Sequence, residues 1–194
     1  MKIGTEGIII LILCLIIVYL TYITYFVDKL EPIKSNFDNR EYMVQEKDDA
    51  QEAANLIAEI RQRLITLVKH VIKIFPEDDK IVELLKVNFN PDVIKEGSES
   101  TGGTTSYNIN KGEQIILCLR NKDKLMDINT MMYVAIHELA HLANETIGHD
   151  QSFWNTFQIL LNEAMNVGVY KYHDFNKEPI EYCSMKITSN IVQK

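Results

Sequence analysis

The pattern of hydrophobic and polar positions begins, near the N-terminus, with a long uncharged apolar run. Residues 8–27 carry no charged side chain, and about 20 apolar residues form a helix long enough to cross a bilayer. Tyrosine and phenylalanine side chains gather toward the downstream end of the run, as they do at a membrane interface. The pattern therefore predicts that residues 1–27 form an uncleaved single-pass transmembrane anchor.

The charges that flank this run predict its orientation. Only Lys2 precedes the run, whereas four basic side chains follow it closely: Lys29, Lys34, Arg40 and Lys47. Because positive flanks favour the cytoplasmic side of a membrane, we expect the rest of the chain to lie there. Cys118 and Cys183 fit no recognisable disulfide framework, which agrees with this placement.

Beyond the anchor, the pattern first turns polar and then helical. Residues 28–46 are polar and include Pro32, which favours a stalk. From about Asp48 to Pro76, apolar residues recur at the spacing of an amphipathic helix, and a shorter helix is expected over residues 77–86. Small residues and uneven spacing interrupt any heptad, so the apolar stripe is interpreted as domain core.

Two β-strands are predicted in the middle of the chain. Residues 104–109 and 114–119 have the composition of strands, and the turn between them contains Gly112. Residues 115–119 are continuously apolar, which indicates a well-buried strand that could also offer an edge to an extended substrate. With the surrounding helices, these strands predict an α+β domain over residues 47–194.

Two more helices follow the strands. A glycine-rich loop is expected at residues 97–103, directly before the first of the two strands. One helix begins with Asn129 or Thr130 as its N-cap and extends to about Asn144. The last helix spans about residues 152–167. The first of these two helices is the centre of the functional interpretation, because it contains the motif H-E-x-x-H.

The motif consists of His137, Glu138 and His141. Side chains four positions apart lie on one face of a helix, about 5–6 Å apart at Cβ, so both imidazoles can bind one ion. Glu138 projects beside that ion, where a carboxylate can act as general base on a metal-bound water. Zinc is the expected metal, because imidazole suits it and a hydrolytic site keeps one coordination position open.

A chance occurrence of this motif on a surface helix is the alternative. Its apolar flanks argue against chance, since unpaired polar groups are costly on a buried helix. The third ligand is expected to be His149, which follows a turn at Gly148, with Glu163 as the competitor and Glu145 as a weaker one. Asp150 is expected to cap the next helix, although it could instead orient a ligand imidazole.

The reaction that this constellation implies is hydrolysis of a peptide bond, with Glu138 as general base on a zinc-bound water. A tyrosine or histidine often stabilises the developing oxyanion in such reactions. Four downstream side chains are candidates for that role, each with a structural role as its alternative: Tyr170, Tyr172, His173 and Tyr182. His70 lies apart from them and is interpreted as an ordinary surface histidine.

The composition limits the partners that the chain can bind. The net charge is −7, and no basic cluster or arginine–aromatic stripe is apparent in the sequence. Because a protein that binds DNA through its phosphates needs a basic patch, nucleic acid is not expected as a partner. The expected partners are a protein or peptide substrate and, through residues 8–27, the lipid bilayer.

The motif region also resembles a known family. It reads HELAH at residues 137–141 and GHDQSFW at residues 148–154. This pattern resembles the WLM metallopeptidases, which are related to the SprT-like group and follow H-E-x-x-H with a histidine, an aspartate and an aromatic pair. The single-domain layout with an anchor also resembles predicted metallopeptidases of large DNA viruses and some protists.

The resemblance implies a minimal zincin-like fold, in which a small antiparallel sheet is packed on helices. It implies that His137, His141 and His149 bind Zn²⁺ and that Glu138 is the catalytic acid/base. It also implies that the aromatic pair at residues 153–154 packs against the active helix. Several family members cleave proteins crosslinked to DNA, but this chain differs from them in its predicted anchor and its acidic charge.

Together, these features predict a membrane-anchored zinc metallopeptidase that acts on protein substrates. One alternative is a catalytically silent, membrane-anchored zinc-binding interaction protein. A purely structural zinc site has no use for the carboxylate of Glu138 and would be expected to add a fourth Cys or His ligand. The other alternative is a DNA–protein-crosslink protease, which needs a route to DNA.

Overall fold

The computed structural model describes residues 4–26, 29–98 and 105–191. Its α-helices are α1 (Thr5–Phe26), α2 (Ala50–Ile74), α3 (Lys80–Asn88), α4 (Ile128–Leu142) and α5 (Gln151–Asn166). The first strands are β1 (Leu30–Lys34), β2 (Glu41–Gln45), β3 (Ile94–Glu96), β4 (Tyr107–Ile109) and β5 (Gln114–Leu117). The remaining strands are β6 (Arg120–Asn121), β7 (Lys124–Leu125), β8 (Ile180–Tyr182) and β9 (Met185–Ile187). The predicted α+β class is confirmed, whereas most of the predicted loop at residues 97–103 lies outside the described residues.

The N-terminal apolar run forms the helix α1, whose described apolar side chains are exposed, Ile8 and Ile17 among them. Within the described residues, however, no helix combines the length and hydropathy required of a membrane span. The structure therefore does not support the transmembrane anchor that was predicted for residues 1–27.

Residues 29–46, the described part of the predicted stalk, are folded, because β1 and β2 form an antiparallel hairpin in which Pro32 pairs with Met43. Tyr42 and Val44 on β2 are buried and belong to the hydrophobic core. The polar composition of this segment concealed the hairpin, because only alternate residues of one strand face the core. The folded domain thus begins before the predicted boundary at residue 47.

The central sheet has the strand order β3-β5-β4. Strand β3 pairs with β5 in parallel and β4 pairs with β5 in antiparallel orientation, so the sheet is mixed and the prediction of an antiparallel sheet is wrong for this part. The sequence suggested β5 as an edge for a substrate, but β5 is paired on both sides. The edges of this sheet belong to β3 and β4.

Three helices form the helical layer of the domain. Helix α2 contacts both α4 and α5, and α4 also packs along α5. The helix predicted from the apolar stripe after Asp48 is confirmed as α2, whose buried face includes Ile57, Leu64 and Val71. The last helix is confirmed as α5, and Gly168 ends it with φ +74°.

A buried ion cluster joins the hairpin, the central sheet and the start of α2. The guanidinium of Arg120 donates to the carboxylates of Glu96 and Asp49, and the Gln45 backbone N–H donates to Glu96 over 2.8 Å. Glu96 is fully buried, and that burial raises the pKa of its carboxyl even though Arg120 lowers it. Asp49 is also the N-cap residue of α2. Its carboxylate binds Arg120 and makes no hydrogen bond to the first turn of the helix.

A disulfide bond fixes the C-terminal hairpin β8–β9 to the end of β5. Cys118 and Cys183 form this bond across 65 residues of sequence. The prediction that these cysteines form no disulfide framework is wrong, and the argument for a cytoplasmic domain that rested on it no longer holds. The sequence could not pair them, because a single long-range pair follows no spacing rule.

Candidate metal centre and active-site cleft

Helix α4 carries the H-E-x-x-H motif and is fixed at its N-terminus by Asp127. The Asp127 carboxylate accepts hydrogen bonds from the backbone N–H groups of Asn129 and Thr130, each over 3.0 Å. Asn129 and Thr130 were predicted as caps and are instead the residues that the cap binds. Such a cap satisfies backbone donors that the first helical turn leaves without partners.

The structure brings together the three histidines that the sequence singled out. One nitrogen from each of His137, His141 and His149 lies within 4.8 Å of the other two, and Nε2 of His149 is 2.9 Å from Nε2 of His137. In a tetrahedral zinc site with Zn–N bonds of about 2.0–2.1 Å, ligand nitrogens lie about 3.3 Å apart. The three imidazoles therefore fit a shared zinc ion.

The turn after α4 returns His149 to the motif. Gly148 in this turn has φ +97°, a left-handed conformation that glycine adopts readily and other residues rarely do. Asp150 then caps α5, because its carboxylate accepts from the Phe153 backbone N–H over 2.9 Å. The prediction that Asp150 acts as a cap is confirmed.

The aromatic pair at the start of α5 surrounds the histidines, as the resemblance implied. Phe153 is fully buried and stacks on the His141 ring with a centroid distance of 4.3 Å. Trp154 stacks on the His149 ring at 5.3 Å. These contacts restrict the orientation of two imidazoles, and Trp154 also lines the cleft.

Burial controls the protonation of the histidines on α4. Burial, followed by the charges of His141 and His149, lowers the pKa of His137 to about 3. Burial also lowers the pKa of His141 to about 4, with smaller effects of His149 and Lys111. Both imidazoles are consequently neutral near neutral pH, and a neutral imidazole is the form that binds a metal.

Glu138 lies next to the histidines and is 5% exposed. Its Oε2 accepts a hydrogen bond of 3.0 Å from the side-chain amide of Asn108 on β4. Burial raises the pKa of Glu138 to about 7, against the lowering effect of that hydrogen bond. A carboxyl group with such a pKa can both accept and return a proton near neutral pH.

A cavity of about 870 Å³ opens over the histidines and Glu138. Strand β4 contributes Asn108 to its lining, and the C-terminal segment contributes residues from Tyr182 to Ile191. The hydroxyl groups of Tyr182 and Ser106 lie 2.5 Å apart, which fixes Tyr182 against the sheet. Of the four oxyanion candidates, Tyr182 is the one that lines this cavity.

The competing ligand candidates lie elsewhere. Glu163 Oε2 lies 2.9 Å from His70 Nε2, where α5 faces α2. His70 is partly buried and contacts the carboxylate of Glu163. Its interpretation as an ordinary surface histidine is therefore wrong. Glu145 lies beyond α4 and forms an ion pair of 3.1 Å with Lys80. Neither glutamate belongs to the group of side chains that could share a metal ion among the described residues.

Asn108 is a site residue that the sequence did not reveal. It lies 30 positions before Glu138 on a strand of three residues, and no local spacing connects the two. The sequence indicated only that residues 104–109 form a strand. The position of Asn108 in the cleft beside Glu138 follows from the folded structure.

The sequence of the chain is similar to those of known proteins. The sequence profile of the WLM domain matches residues 37–191 of the chain. Uncharacterized protein R325 of Acanthamoeba polyphaga mimivirus is 31% identical over 166 residues, which cover 83% of this chain and 84% of that protein. Uncharacterized protein 136R of Invertebrate iridescent virus 6 is 38% identical over 72 residues, which cover 35% of this chain and 40% of that protein.

Among solved structures, the chain is similar to that of a Wss1 mutant from Saccharomyces cerevisiae. It superposes with a TM-score of 0.45 and 22% sequence identity. The similarity covers 64% of this chain and 87% of that chain.

Proposed function

Because the chain belongs to the WLM domain family, as its motif suggested, we propose that it is a zinc metallopeptidase that hydrolyses peptide bonds in protein substrates. One observation carries the proposal: the buried carboxylate of Glu138 adjoins three converging imidazoles on the wall of an open cavity. A carboxylate beside such a cluster has a use in hydrolysis that it lacks in a purely structural metal site.

His137, His141 and His149 are the residues that would hold the zinc ion. Three neutral imidazoles are a donor set that zinc prefers, and three protein ligands leave a coordination position for the reacting groups. The low pKa values of His137 and His141 support this role, because protons then do not compete for the imidazoles near neutral pH. Bound zinc would supply Lewis-acid chemistry, polarising the scissile carbonyl and lowering the pKa of a water molecule.

Glu138 is the proposed general base. It takes a proton from the attacking water and then donates a proton to the nitrogen of the departing amine. Its raised pKa of about 7 supports both steps, since the carboxyl group can exchange a proton near neutral pH. Tyr182 is the leading candidate for a hydrogen bond to the developing oxyanion, because it lines the same cavity.

The cavity favours an extended polypeptide as substrate. Its volume of about 870 Å³ accommodates several side chains, and β4 is an edge strand of the central sheet. The backbone of an edge strand offers hydrogen-bonding groups to an extended peptide. The edge role that the sequence suggested for β5 is thus reassigned to β4.

The test compares proteolysis by the zinc-loaded full-length chain, Glu138→Gln and Glu163→Gln. Glu163→Gln is a matched control, because Glu163 is also a helical glutamate but bonds His70 outside the cavity. We expect the unchanged chain and the control to cleave an unfolded protein substrate at similar rates. Glu138→Gln should lose about 10²-fold or more in kcat while it retains zinc.

The outcomes separate the alternative functions. Zinc in all three proteins with cleavage by none would favour a silent zinc-binding interaction protein. Cleavage that requires added DNA would favour a DNA–protein-crosslink protease. Equal cleavage by the unchanged chain and Glu138→Gln would contradict the proposed role of Glu138.

Attachment to a membrane through residues 8–27 is a separate proposal. Its support is the uncharged sequence of this segment and the basic residues that follow it, and the peptidase proposal does not depend on it. Fractionation of cells that express the full chain and a chain lacking residues 1–27 tests it. Recovery of both proteins in the same soluble fraction would contradict attachment.

A further inference from the structure

We propose that Asn108 is a positioning residue that holds the carboxylate of Glu138 in its working orientation. This inference rests on the proposed peptidase function and adds to it a residue outside the motif. Its basis is the hydrogen bond of 3.0 Å from the Asn108 side-chain amide to Oε2 of Glu138. Asn108 also lines the cavity over the histidines, on the strand that faces the motif helix.

The surroundings of Glu138 make this hydrogen bond important. Glu138 is 5% exposed, so bulk water cannot orient its carboxylate as it would on an open surface. Within the described part of the chain, Asn108 supplies the side-chain hydrogen bond to this carboxylate. The bond uses Oε2 and leaves Oε1 available to accept a proton from the attacking water.

The backbone around Asn108 is fixed on both sides. Asn108 pairs with Ile115 of β5, and the turn that follows β4 lies against Asn88, the last residue of α3. A Cβ at Gly112 in this turn would lie 2.1 Å from the carbonyl oxygen of Asn88, so only glycine fits there. The turn and the strand pairing together fix the position from which the amide donates.

The same turn is also tied to the segment after the motif helix. Lys111 Nζ donates to the carbonyl oxygens of Asn144 and Glu145, over 3.1 and 2.5 Å. The Asn88 side-chain amide donates to the carbonyl oxygen of Leu142 over 2.8 Å. The donor on β4 and the acceptor on α4 therefore belong to one connected unit, which suits a contact that must preserve an orientation.

The chemical type of the donor also suits this role. A primary amide is neutral, so it orients a carboxylate without forming an ion pair that would compete with its function as a base. Its side chain is short and has only two rotatable χ angles, so little conformational freedom is lost when it is fixed. Misplacement of a catalytic group by about 1 Å can reduce a rate by about 10²-fold.

A merely structural role for Asn108 predicts a different result. If the amide only satisfied a buried carboxylate, its removal would lower the free energy of unfolding and leave the turnover of the remaining folded enzyme unchanged. A positioning role predicts a fall in kcat with nearly unchanged KM, because substrate binding does not depend on the orientation of Glu138.

The kinetic test uses Asn108→Asp, Asn108→Leu and the control Asn110→Asp in the full-length, zinc-loaded chain. Both Asn108 variants keep the branched shape of the side chain. Asn108→Leu removes the donor, and Asn108→Asp replaces the neutral amide with a carboxyl group that competes with Glu138 for a proton. Asn110 lies in the same hairpin, and its amide also binds a glutamate, Glu113, but outside the cavity. We expect kcat to fall at least about 10-fold in both Asn108 variants, with KM within about twofold, and no change in Asn110→Asp.

A second measurement does not depend on activity. In a ¹⁵N–¹H spectrum of the folded chain, the side-chain amide signal of Asn108 should move in Glu138→Gln and stay in place in Glu163→Gln. An unchanged Asn108 signal in Glu138→Gln would overturn the proposed contact even if the Asn108 variants fail to fold.

The results distinguish this inference from the proposed function. Cleavage by the unchanged chain, its loss in Glu138→Gln and normal kcat in both Asn108 variants would overturn the positioning role alone. A change confined to KM in those variants would also overturn it. Absence of cleavage by the unchanged chain would contradict the peptidase function and the positioning role with it.

Discussion

The indole ring of Trp154 stacks on the imidazole of His149, with ring centroids 5.3 Å apart and an angle of 24° between the planes. His149 is the exposed member of the three histidines, since it lies in the turn after the motif helix. The stacking contact therefore fixes the candidate ligand that the backbone restrains least. Groups that orient a ligand in this way strongly affect metal affinity.

Loss of this contact should weaken zinc binding. In Trp154→Ala we expect the zinc affinity to fall by about 10-fold or more, whereas Trp154→Phe should retain most of it because an aromatic face remains. Competition with a chromophoric chelator measures both affinities. Equal affinities for the unchanged chain and Trp154→Ala would show that His149 needs no support from this ring.

The same contact provides an optical signal for zinc binding. Trp154 is the only tryptophan of the chain, so all tryptophan fluorescence comes from the candidate metal site, where the indole contacts the rings of His149 and His137. We expect the emission to change as zinc is added and to reach a plateau at one equivalent. In His149→Ala the change should be largely lost, whereas in His173→Ala it should persist.

Acid should destabilise the zinc-free protein through His137 and His141. Their folded-state pKa values of about 3 and about 4 lie below the ordinary value of 6.5. Between about pH 4 and 6.5 the unfolded chain therefore binds protons that the folded chain does not, and stability falls as the pH falls through this range. Below the folded pKa values this effect levels off.

Comparison of variants isolates this effect from that of Glu138. Glu138 has a raised pKa of about 7, so it acts in the opposite direction and lowers stability as the pH rises from about 4.5 to 7. Urea unfolding at several pH values should show less acid destabilisation in His141→Gln than in the unchanged chain. His173→Gln, a change outside the site, should behave as the unchanged chain does; an identical pH dependence in all three would contradict the assignment.

Removal of the disulfide should destabilise the domain and disorder one wall of the cleft. The bond closes a loop of 65 residues, for which the chain-entropy estimate is about 4 kcal/mol of stability. Cys118→Ser and Cys183→Ser should each lower the unfolding free energy by this order and raise KM, because the hairpin β8–β9 lines the cavity. Cys14→Ser, which removes the free cysteine, should do neither.

The helices and the motif could be predicted because their signals are local. The stripe of α2 and the H-E-x-x-H spacing on α4 depend on which residues lie a turn apart. The cap at Asp127 was missed because three neighbouring residues, Asp127, Asn129 and Thr130, can all cap a helix. Only the geometry shows that the Asp127 carboxylate accepts from the other two.

The long-range features were beyond local rules. The hairpin β1–β2 is polar on its outer face and contains Pro32, which is tolerated because β1 is an edge strand. The pairing of Cys118 with Cys183 and the contact between Asn108 and Glu138 join distant segments. Neither contact can be predicted from the residues that are adjacent to it in the sequence.

The most direct test of the central claim is the zinc K-edge absorption spectrum of the zinc-loaded full-length chain. A hydrolytic site formed by His137, His141 and His149 predicts three imidazole nitrogens and one further oxygen ligand, all at about 2.0–2.1 Å, with no sulfur. A spectrum that shows four imidazole nitrogens or a sulfur ligand, or a chain that binds no zinc, would contradict this hydrolytic site.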